Sequence, residues 1–152
     1  LAENPQNDVP SGHVCIDRGF CFFICVPSKL KPSLTQKPSF TYPAKVKRVV
    51  DGDTIIVEID LGFNARTSAR LRLRGINTPE MSDPGGEPAK RFVTRQLPAG
   101  KQLVIRSYST DIYGRFVADV FYSKGKATSQ QIIKDGIFLN NKLLENNYAV
   151  RI

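Results

Sequence analysis

Asp53 to Ile76 reads DTIIVEIDLGFNARTSARLRLRGI, and this stretch decides the fold. From Asp53 to Asp60, Ile55, Val57 and Ile59 fall on one face, the period-2 pattern of a strand with one buried side; Ile56 breaks strict alternation. Leu61 to Thr67 holds Gly62 and Asn64 and predicts a turn. Ser68 to Ile76 alternates again, with Leu71 and Leu73 on one side and Arg70, Arg72 and Arg74 on the other. Two strands of opposite direction are the start of a mainly β domain.

Working outward, Val46 to Val50 is a β-branched run and predicts a preceding strand. Thr78 to Glu87 carries two prolines and two glycines and reads as loop. Glu87-Pro88 opens a helix bearing Ala89, Phe92, Val93 and Leu97, and Pro98-Ala99-Gly100 stops it. Leu103 to Tyr108 and Arg115 to Tyr122 predict two further strands, and Leu139 to Asn147 a second helix. Three strands, a helix, two strands and a helix predict an α+β, mainly β class: a five-stranded Greek-key barrel of the oligonucleotide/oligosaccharide-binding (OB) kind with two packed helices. The barrel domain is expected over 44–152. Residues 1–43 form an N-terminal tail: a polar, Pro/Asn-rich start to Ser11, a cysteine-bearing segment from His13 to Val26, and a proline-rich linker.

The chain has 152 residues, with 22 Lys and Arg against 14 Asp and Glu, a net charge of +8 that favours polyanions. No apolar run approaches a membrane span, so no membrane partner is expected. Leu1 to Pro10 is polar and lacks a signal-peptide pattern, and a chain opening on Leu1 is expected to be a processed form or a fragment.

Three motifs carry the chemistry: Asp51-Gly52-Asp53-Thr54, Arg72 through Glu80 (RLRGINTPE), and Asp111-Ile112-Tyr113-Gly114-Arg115. They supply carboxylate and carbonyl oxygens suited to a hard cation, a carboxylate for water, and guanidinium groups that grip phosphate oxygens in pairs. Asp53 is in phase with Ile55, Val57 and Ile59, which aims it at the barrel mouth, while Asp51-Gly52 reads as the turn. Arg70, Arg72 and Arg74 also fit a plain solvated strand face, the reading that suits Arg70 and Arg74. The one histidine, His13, lies outside the expected barrel, which argues against a histidine-driven reaction.

In order and spacing, these motifs resemble the staphylococcal-nuclease (thermonuclease) family over roughly residues 44–150. The resemblance implies an SNase-like fold and a Ca2+-dependent endonuclease that hydrolyses DNA and RNA with little sequence specificity, prefers single strands, leaves 3′-phosphates and acts as a monomer. It implies that Asp53, Asn77 and Thr78 hold one Ca2+. It implies that Arg72 and Arg115 bind the scissile phosphate, that Glu80 activates water, and that Tyr113 contacts the nucleotide. Two positions depart from the family. Asn77 stands where an aspartate is usual, removing a ligand charge, and Ile112 replaces a lysine. Asn140 is similar to a structural asparagine and receives no catalytic role. The other reading is a catalytically weakened or inactive module of the same fold that binds nucleic acid or protein; retention of Asp53, Arg72, Glu80 and Arg115 favours the enzyme.

His13, Cys15, Cys21 and Cys25 supply four soft donors, yet without a C-x-x-C spacing. A Zn2+ site, a disulfide leaving one thiol over, and reduced cysteines in an apolar patch beside Phe20, Phe22 and Phe23 are all open at this point, as is the redox compartment.

Overall fold

The computed structural model describes residues 9–17, 23–30 and 40–152. The chain divides into two compact units, Leu1–Phe40 and Thr41–Ile152.

In the first unit, β1 (His13–Asp17) and β2 (Phe23–Pro27) form an antiparallel hairpin followed by one 3-10 turn at Ser28–Leu30. Cys15 stands directly across from Cys25 in the register. Cys21, Phe20 and Phe22, and the linker between 31 and 39, lie outside the described residues. Among the described residues, no three His, Cys, Asp or Glu side chains gather as a metal site.

The second unit is built on five strands: β3 (Thr41–Val49), β4 (Thr54–Gly62), β5 (Ala65–Leu73), then β7 (Gln102–Thr110) and β8 (Phe116–Tyr122). A two-residue strand, β6 (Ile76–Asn77), precedes helix α1 (Gly86–Gln96). After β8 come α2 (Ser129–Asp135), β9 (Ile137–Phe138), α3 (Leu139–Glu145) and β10 (Val150–Arg151). The sheet order is β5-β4-β3-β7-β8-β9, and a parallel pairing of β5 with β8 closes the five strands into the expected OB barrel. The alternation read from the sequence is the core: Ile55, Val57, Ile59 and Leu61 of β4 and Leu71 of β5 are fully buried. Each contributes about 1.5–3 kcal/mol by leaving water. No helix among the described residues is long and apolar enough to cross a membrane.

Four details differ from the sequence reading. β3 starts at Thr41 and runs through Pro43; pairing with β4 begins only at Ala44, so at Pro43 the β4 side is a sheet edge and the missing N–H costs no ladder bond there. The β4–β5 connection is not a seven-residue turn. Phe63 and Asn64, both at positive φ, make a two-residue hairpin turn between Gly62 and Ala65. Among the described residues there are three α-helices rather than two. The extra one, α2, is started by a capping box in which Thr128 and Gln131 bond each other's backbone N–H, and only Ile132 of it is buried, too little for a periodic signal. Arg74 is not simply solvated: its guanidinium makes two hydrogen bonds of 2.9 Å to Asp119 and lies 4.2 Å from the centre of the Tyr108 ring.

Helix α3 ends in a Schellman turn. Asn147 takes φ 58°, the Tyr148 N–H bonds the Leu143 carbonyl, and the Asn147 N–H bonds that of Leu144. The reversal lets β10 pair antiparallel with β6, setting Val150 opposite Asn77.

Candidate active site

The site lies where the start of β4, the end of β5 with β6, and the β7–β8 turn meet. Its centre is Asp53, only 6% exposed. The tight turn before it needs Gly52, since a Cβ there would come within 2.8 Å of the Thr78 side chain. The Asp53 N–H bonds the Asp51 carboxylate at 3.1 Å, so Asp51 is the turn's own acceptor.

Asp53 is heavily bonded. Its Oδ2 accepts from the Thr78 N–H and hydroxyl, each at 2.9 Å, and pairs with an Arg72 guanidinium nitrogen at 2.9 Å. Its Oδ1 accepts from the Thr54 hydroxyl at 3.1 Å. The second terminal nitrogen of Arg72 donates to Asn77 Oδ1 at 2.8 Å. One guanidinium thus ties the buried carboxylate to the exposed asparagine, a fork geometry that lysine could not reproduce.

Arg115 reaches the same centre from the other side. Its terminal nitrogen donates to the Thr54 hydroxyl at 3.3 Å. Its Nε donates to Asp111 Oδ2 at 2.7 Å, and the Asp111 Oδ1 accepts both the Arg115 and Tyr113 N–H groups at 2.9 Å. Gly114, at φ 73°, allows this tight turn. Burial pushes the Asp111 carboxyl up, but the hydrogen bonds from Arg115 and the Tyr113 N–H outweigh it and hold the group below the usual carboxylate range. Tyr113 is 76% exposed, its ring 5.3 Å from the Arg115 guanidinium carbon.

Glu80 follows Thr78 by two residues in an exposed loop of successive turns, with the Asp83 N–H on the Glu80 carbonyl and the Gly86 N–H on that of Asp83. A Cβ at Gly86 would collide with the Glu80 carbonyl, so that glycine lets α1 start against the loop. Among the described residues no hydrogen-bond partner holds the Glu80 carboxylate.

The structure therefore joins Asp53, Arg72, Asn77 and Thr78 directly, Arg115 through one hydroxyl, and Tyr113 through Arg115 and Asp111; it links Glu80 to them only through the chain. The sequence reading missed Thr54. It is 1% exposed and bridges the carboxylate and the second arginine, and its signal was its place right after Asp53. Asp111, the anchor of Arg115, was also given no role. Asn140 has the structural part expected: buried, it accepts from the Val120 N–H at 3.2 Å and donates to the Arg74 carbonyl at 3.0 Å.

Beside the site, a bulge in the β7–β8 pairing at Ser107–Ser109 turns Tyr108 out over the sheet. Its hydroxyl donates to Asp119 at 2.8 Å; burial and that carboxylate push the phenol up. The side chains proposed to hold a cation, the Asp53 carboxylate, Asn77 Oδ1 and the oxygens of Thr78, offer oxygen ligands with one negative charge, and Arg72 bridges Asp53 and Asn77 in this structure. That set fits a hard divalent cation that keeps much of its water.

The model of the family described as staphylococcal nuclease homologue matches residues 70–150. A thermonuclease of Staphylococcus hyicus is 35% identical over 100 residues, covering 61% of this chain and 56% of that protein. An uncharacterized endonuclease of Escherichia coli is 32% identical over 92 residues, 60% of this chain and 56% of its own length. A probable staphylococcal-like nuclease of Oryza sativa subsp. japonica is 40% identical over 67 residues, 44% of this chain and 20% of its own. The chain spans little more than half of the bacterial relatives and a fifth of the plant one.

Proposed function

Because the chain belongs to the staphylococcal nuclease family, we propose that it hydrolyses phosphodiester bonds in DNA and RNA, with Asp53, Asn77 and Thr78 holding one Ca2+. The observation that carries this reading is the bonded line Asn77–Arg72–Asp53–Thr54–Arg115, which sets two guanidinium groups on either side of one buried carboxylate. A bound Ca2+ would neutralise phosphate charge and make water easier to deprotonate.

The remaining work belongs to the side chains. Arg115 and Arg72 grip the non-bridging oxygens of the phosphate and stabilise the charge that grows as water adds. Arg72 turns from Asp53 toward the substrate to do so. Glu80 takes the proton of the attacking water; its unheld carboxylate is free to reach it. The P–O5′ bond breaks and the departing O5′ takes a proton from solvent, leaving a 3′-phosphate and a 5′-hydroxyl. Tyr113 offers an exposed ring to a base, which suits unpaired strands more than a stacked duplex. The protein works as a monomer.

Glu80→Gln is the test. Wild type cuts single-stranded DNA with Ca2+ and stops with chelator; the variant binds that DNA as well and loses about 10²–10⁴-fold in rate. If wild type and variant bind equally and neither cuts with any divalent metal, the domain is a binding module. The neutral Asn77, already held by Arg72, is the observation on that side.

A further inference from the structure

At the end of the barrel remote from Arg115, the loop after α1 and the loop after β8 enclose a cleft of about 460 Å³. Lys101, Lys124 and Lys126 line it, Ile132 forms part of its wall, and no carboxylate faces it. None of the three lysines forms an ion pair among the described residues. Lys101 is half-buried, and its ammonium donates to the Lys124 and Gly125 carbonyls at 3.1 and 3.2 Å. That bond draws the two loops together, and Lys124 and Lys126, both exposed, line the same hollow. Three lysines on one hollow, with no carboxylate among its lining residues, favour a polyanion there.

We propose that this cleft binds a phosphodiester backbone, as a second contact for the strand held at the Arg72–Arg115 site; the partner's identity as nucleic acid rests on the function proposed above. β7 runs from Gln102, at the cleft, to Thr110, beside the Asp111 turn. At about 3.3 Å per residue the two sites stand roughly 26 Å apart along the strand. At a stacked spacing of about 3.4 Å per nucleotide, a strand of roughly eight nucleotides or more reaches both. Shorter strands engage one site only.

Salt dependence reads this directly. Binding of a fluorescent 20-nucleotide and a 5-nucleotide single strand to the full chain is measured in chelator, so that no cleavage is needed, across a range of salt. Each phosphate neutralised contributes a slope of about −0.7 in log K against log salt. In Lys124→Gln/Lys126→Gln the slope for the 20-mer becomes shallower by about 1.4, while that for the 5-mer stays as in wild type. Lys126→Glu lowers 20-mer affinity further without moving the melting temperature. Equal slopes in wild type and double variant overturn the proposal, and so does an equal loss on both lengths, which would mean a diffuse charge effect. Displacement of the 20-mer by polyglutamate as readily as by inorganic polyphosphate overturns the ligand class. Binding that behaves as expected in a protein that never cuts DNA leaves the cleft standing and removes only the catalytic reading.

Discussion

Thr54→Val isolates the hydroxyl that joins the two halves of the site. Valine keeps the shape of threonine, and at 1% exposure no water enters to replace the lost group. Two hydrogen bonds disappear: the donor to Asp53 Oδ1 at 3.1 Å and the acceptor for Arg115 at 3.3 Å. Bonds to charged partners are worth about 1.5–3 kcal/mol each. Arg115 keeps Asp111 and is part-exposed, so its share is small, whereas Asp53 loses a donor while remaining buried. The sum is about 2–3 kcal/mol. For a domain of this size, about 4 °C of melting temperature per kcal/mol gives a fall of roughly 8–12 °C, followed by circular dichroism. Thr54→Ser, which restores the hydroxyl, should recover most of it. A valine variant melting within a degree of wild type would refute the bridge as a source of stability.

Asn77→Asp restores a ligand charge, and Ca2+ should bind about tenfold tighter by calorimetry, with higher activity at limiting metal; unchanged affinity would remove Asn77 from the ligands. Asp111 is held below its unfolded pKa, so its stabilisation is present above the ordinary carboxylate range and fades as pH falls through the lower, folded value. Asp111→Asn should therefore melt below wild type at neutral pH, with the gap closing in acid; a gap independent of pH would refute this account. Removal of residues 1–40 should leave a folded domain, whereas removal of 1–43 also takes Thr41–Pro43 and the buried Tyr42 from the β3–β7 pairing and should cost about 3 kcal/mol, read by urea unfolding.

The sequence made β4, β5 and α1 legible because each has a strong period and a buried face. The candidate site residues stood out for a different reason: the order and spacing of their motifs, since Asn77-Thr78-Pro79-Glu80 taken alone reads as a plain turn before a helix. What stayed hidden depended on partners far along the chain. Nothing local in Arg74 points to Asp119, 45 residues away, and a lone threonine gives no sign that Arg115 will come to rest on it. The short α2 was hidden because its capping box, not a hydrophobic face, defines it. β3 was read as starting late because proline argues against a strand until the vacant edge at that position is known.

The β6–β10 clasp sets an order of assembly. Val150 pairs with Asn77, and the Ile152 N–H bonds the Gly75 carbonyl, so the residues on either side of Ile76 are fastened by chain made some seventy positions later. On a ribosome, β3, β4 and β5 can pair long before that clasp exists, and contacts of such separation form late because loop closure must come first. The Asn77 loop is thus completed only after the strands that support it, and a nascent chain carries the barrel framework before it carries a finished centre.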